Sequence, residues 1–135
     1  MNPESIERKD ENQGYIIIKV STARGAIPLE DASVSIKGAS PENSGIVYSL
    51  RTNSDGITPK VALPSPARSL SETPGNPLPF SRWNVDVFKE GYVPAYFQNV
   101  PVYSSITSVQ PAILVPIPEN FKSAERVNES QTPDL

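Results

Sequence analysis

A chain of 135 residues with 37% apolar content, 15 prolines and a formal net charge of −3 has room for one domain and one hydrophobic core. It carries no basic stripe of the kind that holds nucleic acid. Without a single cysteine or histidine it excludes disulfides, thiol nucleophiles and imidazole chemistry. Acidity is concentrated at the ends. Residues 1–13 hold Glu4, Glu7, Asp10 and Glu11 against Arg8 and Lys9, and residues 119–135 hold Glu119, Glu125, Glu129 and Asp134 against Lys122 and Arg126. Such composition reads as a flexible N-terminal arm and a flexible or weakly helical C-terminal tail around a domain at 14–118. No apolar h-region follows Met1 and no run of about 18 apolar residues occurs, so neither a signal peptide nor membrane insertion is expected. The default compartment is the cytoplasm.

Within the domain the alternation of side chains points to strands. Tyr15 to Thr22 is rich in β-branched residues, with Ile16, Ile18 and Val20 on one face and Tyr15, Ile17 and Lys19 on the other. Residues 24–28 read as a turn or short excursion. Ala32, Val34 and Ile36 alternate with Ser33, Ser35 and Lys37. Residues 46–52 form a third strand, with Ile46, Tyr48 and Leu50 inward. Asn53-Ser54-Asp55-Gly56 is a turn signal, and residues 57–63 return from it, so 46–63 is expected to be a hairpin. Pro59 marks an edge or a bulge in its second strand.

Residues 64–81 hold prolines at 64, 66, 74, 77 and 79 and no strand pattern. A loop of that length in a compact domain is usually functional or disordered. The strand that others must cover follows it. Trp83, Val85 and Val87 alternate with Asn84 and Asp86, and Glu90-Gly91-Tyr92 turns the chain. Residues 93–102 and 109–118 are further extended runs, broken by Pro94, Pro101, Pro111 and Pro116. About seven short strands with turns between them, and no convincing helix, read as an all-β sandwich.

Three blocks carry a family resemblance: Ala32-x-Val34-x-Ile36, Thr52-Asn-Ser-Asp55-Gly56, and Asn84-Val85-x-Val87 with Gly91-Tyr92. Their order and spacing resemble the carboxypeptidase regulatory-like domains of transthyretin-like fold. Asn53 departs from the Thr-Asp-x-x-Gly turn common in those families. Leu63-Pro-Ser-Pro, Ser71-Glu-Thr-Pro74, Pro79-Phe-Ser, Asn99-Val-Pro-Val-Tyr103 and Ser108-Val-Gln110 are similar to the accessory domain of clostridial spore cortex-lytic enzymes. The resemblance implies a transthyretin-like (prealbumin-like) β-sandwich. Its implied role is binding or assembly beside a catalytic domain, in sporulation, peptidoglycan handling or the cell envelope. Transthyretin-fold hydrolases of the hydroxyisourate type use histidines and a terminal Tyr-Arg-Gly-Ser, and this chain has neither.

The residues themselves offer little chemistry. Ser65, Ser69 and Ser71 flank Arg68, which stays protonated and makes a poor base. Oxygen ligands for a hard cation reduce to Glu30, Asp31, Asn53 and Asp55, too few in one place. A self-made isopeptide bond needs a buried lysine and carboxylate, yet Lys19 and Asp86 fall on the polar faces of their strands. Asp86 and Glu90 share one strand and its turn, with no evident cleft between them. No catalytic residue, metal or cofactor is therefore expected. The aromatics clustered in residues 88–103 are different: exposed, they mark a site for glycans or proteins, and the competing reading is that a second layer, the 64–81 loop or a neighbouring chain covers them. The expected contact elements are Leu70, Leu78 and Phe80 of the long loop and Phe88, Tyr92, Tyr96, Phe97 and Tyr103 beyond it. The expected function is a non-catalytic interaction module with a protein partner, such as a peptidoglycan-associated enzyme, or with itself. The alternative is a structural subunit of a phage-like or appendage assembly. A hydrolase is a third option.

Overall fold

Alternation in the first strand sets one sheet, and alternation around Trp83 sets the other. A computed structural model describes residues 12–67 and 79–118. Its strands are β1 (Gln13–Thr22), β2 (Ile27–Pro28), β3 (Ser33–Gly38), β4 (Val47–Arg51), β5 (Val61–Pro64), β6 (Phe80–Phe88), β7 (Ala95–Tyr103) and β8 (Thr107–Ile113). In sheet A, β1 is central. It pairs antiparallel with β5 near its start and with β2 near its end, and it pairs parallel with β8. Sheet B runs in the order β4-β3-β6-β7, antiparallel throughout.

The two sheets face each other across the predicted core. Ile16, Ile18 and Val20 from β1 meet Val34 and Ile36 from β3 and Trp83, Val85 and Val87 from β6, all at 0–1% exposure. Full burial of each aliphatic side chain is worth about 1.5–3 kcal/mol. Ile46, Tyr48 and Leu50 pack on the rim of this core, as their spacing predicts. Trp83 buries its indole and donates its Nε1–H to Ser81 Oγ at 2.7 Å, which satisfies the one polar atom it takes inside.

Four expectations need correction. The 46–63 hairpin does not form, because β4 pairs with β3 in sheet B while β5 pairs with β1 in sheet A. The turn itself is real. Gly56 N–H donates to Asn53 O, and Asn53 Oδ1 accepts from Asp55 N–H at 2.9 Å and Ile57 N–H at 3.0 Å. However, Val20 N–H donates to Gly56 O at 2.7 Å, Ile57 bridges Lys19, and Thr58 exchanges bonds with Ile18. The returning segment is thus taken by β1. Alternation cannot distinguish these outcomes, since β4 and β5 present apolar residues to one core from opposite sides. Second, the excursion at 24–28 contains a further strand, β2, giving eight strands rather than about seven. Third, β6 begins at Phe80, inside the segment read as loop. Fourth, the last strand spans Thr107–Ile113 and runs parallel to β1, because the turn after β7 crosses between the sheets.

The bonds Tyr15 N–H to Ile106 O and Leu114 N–H to Ser21 O fix the phase of that parallel ladder. Even-numbered residues of β8 then bond to β1, and odd-numbered ones point to the open edge. Pro111 sits among the latter, so the missing N–H falls where a foreign strand would pair. Pro101 interrupts β7, the outermost strand of sheet B, in the same way. Residues 1–11 and 119–135, on which the expected arm and tail fall, lie outside the described residues, as do Leu70 and Leu78. Among the described residues no helix is long and apolar enough to cross a membrane.

Candidate functional site

A groove of about 360 Å³ opens at one end of the sandwich, where the two sheets part. Asn12, Pro64, Ser65 and Pro66 line it from sheet A, and Glu42, Asn43, Ile46, Phe80 and Ser81 from sheet B. Its walls are mostly apolar, with polar groups at fixed points, the usual make-up of a binding cleft.

Hydrogen bonds between elements hold that shape. The β3–β4 connection carries a single helical turn at Pro41–Asn43, closed by a capping box. Ser40 N–H donates to Asn43 Oδ1 at 2.8 Å, and Asn43 N–H donates to Ser40 O. The other end of the Asn43 amide donates to Arg82 O at 3.1 Å, and Arg82 Nε donates to Ser40 Oγ at 3.1 Å. This connection is therefore riveted to β6. Gly38 allows the close approach, because a Cβ there would collide with the Asn43 backbone. On the other wall Ser65 N–H donates to Asn12 O, and the Ser65 and Ser81 hydroxyls both donate to Val102 O, at 2.8 and 3.5 Å.

Phe80 lies at the groove and Tyr103 opposite it on β7, their rings 5.5 Å apart and tilted by 48°. Phe88 and Tyr96 are exposed on the outer face of sheet B, at 54% and 68%. Phe97 pairs with Val85 on the inward side, and both it and Tyr92 pack against the core. The expected aromatic group is thus divided. Phe80 lines the groove and Tyr103 packs against its ring without lining it, Phe88 and Tyr96 mark a sheet face, and Tyr92 and Phe97 serve the interior. Chain proximity could not separate them, because a bulge between Trp83 and Val85 shifts the β6–β7 register. The contribution of Glu42, Asn43 and Ile46 to the groove was missed. The one signal for it was Ser40-Pro41-Glu42-Asn43, a capped turn beside a strand.

Other candidate groups are held apart. Lys19 is exposed on the outer face of sheet A, while Asp86 faces outward from sheet B and pairs with Lys37 at 3.3 Å. The core therefore separates the lysine and carboxylate of an isopeptide bond. Asp31 pairs with Arg51 at 3.2 Å. Asp55 adds only its backbone to the turn that Asn53 caps. Among the described residues no three acidic side chains gather to hold a metal. Ser65 is buried and hydrogen-bonded to backbone, and neither Asp86 nor Glu90 lines the groove.

No protein-family model and no curated protein matches the chain. Among solved structures it is similar to the Bacillus anthracis TIE protein, with a TM-score of 0.54 and 16% identity over 78% of this chain and 17% of that one. It also overlaps chlorocatechol 1,2-dioxygenase from Pseudomonas putida, with a TM-score of 0.48 and 19% identity over 79% of this chain and 61% of the other. The chain thus spans less than two thirds of either protein. At these identities the likeness is one of fold, and the chain is an all-β sandwich of two four-stranded sheets.

Proposed function

We propose that the chain is a non-catalytic, transthyretin-like interaction module. It docks a protein partner in the end groove and acts as an accessory in a cell-envelope or spore-cortex assembly. The observation that carries this reading is the groove itself: an apolar cleft between two sheets, braced by the Ser40–Asn43–Arg82 bonds, with Phe80 at its edge. A preformed apolar cleft with a few fixed polar groups is the usual make-up of a binding site, and Glu42 is the one ionisable side chain among the described residues that line it. The sequence resemblance to accessory domains of spore cortex-lytic enzymes supplies the partner class, an enzyme that acts on peptidoglycan. A photo-crosslinking residue in place of Phe80 tests it in cells. Capture of a peptidoglycan-associated enzyme, lost when the Pro64–Pro66 wall is altered, is expected. Labelling that never exceeds an exposed control position rejects the docking role. Cleavage of peptidoglycan by the pure chain rejects the non-catalytic one.

One observation favours the structural-subunit alternative. Sheet A presents apolar side chains on its outer surface, around the exposed Lys19. Tyr15 and Ile17 are half-buried on β1, while Val109 and Ile113 on β8 are 57% and 52% exposed. A defined oligomer in light scattering that dissociates in Val109→Lys/Ile113→Lys supports that reading. A monomer rejects it.

A further inference from the structure

We propose that the outer face of sheet B is a second binding surface, for an uncharged oligosaccharide. The strand register arranges this face in rows. Arg51, Ser33 and Phe88 lie side by side across β4, β3 and β6. Ser49, Ser35, Asp86 and Tyr96 form the next row across all four strands. Partners directly opposite in a sheet point to the same side, so these groups share one surface.

Between β3 and β4 the short serine side chains leave a trough of about 280 Å³, lined by Ser33, Ser35, Ser49 and Arg51 over Val34 and Leu50. The three serine hydroxyls make no hydrogen bond among the described residues, so their donors and acceptors are free for a ligand. Beside the trough stand the exposed rings of Phe88 and Tyr96. They are diagonal neighbours across the β6–β7 pair, as Asp86 opposes Tyr96. A sugar ring has just these two needs. Its hydroxyls need paired donors and acceptors, and its axial C–H face stacks on an aromatic plane. The centres of the β3–β4 and β6–β7 pairs lie two strand spacings apart, about 10 Å. An oligosaccharide laid across the strands therefore meets hydroxyls with one ring and aromatics with another.

Charge selects within the polyols. Beside the trough the ionised groups are matched, Lys37 to Asp86 at 3.3 Å and Arg51 to Asp31 at 3.2 Å, while Arg82, farther along β6, donates to the Ser40 hydroxyl. With the charges beside the trough paired, no cluster of one sign is there to attract a charged polymer, so the trough suits an uncharged glycan, while both ion pairs still offer polar atoms to ligand hydroxyls. This face is separate from the end groove, so the inference stands or falls independently of docking there.

The test is amide NMR of the full chain, titrated with tetramers of N-acetylglucosamine, β-1,4-glucose and α-1,4-glucose. At least one is expected to shift the signals of Ser33, Ser35, Ser49 and Tyr96. Tyr96→Ala should then weaken binding by about threefold to tenfold, the worth of one ring contact. Ser35→Tyr, which fills the trough and suits a strand, should abolish it, and Val109→Ser on the opposite face should leave it unchanged. The inference is overturned if all three tetramers leave the spectrum unchanged at millimolar concentration. Shifts confined to the groove residues, or binding unaltered in folded Tyr96→Ala and Ser35→Tyr, overturn it equally, as does occupation of this face by a protein alone.

Discussion

Replacing Thr52 with valine keeps the shape of the side chain and removes its hydroxyl. That hydroxyl lies where the chain leaves sheet B to cross to sheet A. Thr52 Oγ1 accepts from Ala32 N–H at 2.9 Å and donates to Leu29 O at 2.7 Å. Thr52, Ala32 and Leu29 are all buried, at 5%, 0% and 7% exposure, so water cannot replace the lost partner. Each orphaned buried group costs about 1–3 kcal/mol, giving a total of about 3 kcal/mol once the added methyl is credited. For a domain stable by about 5–15 kcal/mol this is a large fraction. Thr52→Ser is the control. It keeps both bonds and loses one methyl, worth about 0.8 kcal/mol. Urea denaturation followed by Trp83 fluorescence reads both variants, and the extra loss in Thr52→Val should lower its midpoint by about 1–2 M relative to Thr52→Ser. If Thr52→Val is no less stable than Thr52→Ser, the hydroxyl does not fasten the crossing and the argument fails.

Other perturbations have equally definite signs. Ser104 is fully buried, and its hydroxyl has no hydrogen-bond partner among the described residues. Ser104→Ala should therefore raise stability by about 1 kcal/mol, seen as a melting temperature higher by about 4 °C, and a clear decrease would show an unrecognised partner. Gly38→Ala drives a methyl into the Asn43 backbone, and should cost about 3 kcal/mol and spread amide shifts through Ser40, Asn43 and Arg82. A melt and spectrum unchanged from the parent chain would mean that the connection is not riveted to β6. Lys37 and Asp86 form a half-exposed pair, so Asp86→Asn should change stability by less than about 1 kcal/mol in low salt. A larger loss would mean that this pair holds β3 against β6.

The inward faces of β1, β3 and β6 were legible because a period of two is local. Given Ile16, Ile18 and Val20, or Trp83, Val85 and Val87, no neighbour needs to be known to say that one side of the strand seeks cover. The Asn53–Gly56 turn was equally legible, since the Asn53 side chain and the positive φ of Gly56 act within a few residues. Pairing is another matter. Whether residues 57–63 return to β4 or cross to β1 depends on bonds from Thr58 to Ile18 and from Gly56 to Val20, between residues some forty apart in the chain. The parallel placement of β8 and the division of the aromatics between groove, sheet face and core arise in the same way, from register and a bulge. The sequence by itself thus determined which residues are inward and where the chain turns. The tertiary structure alone decided which strands meet, and so which exposed side chains share a surface, because a binding surface joins residues that only long-range backbone pairing brings together.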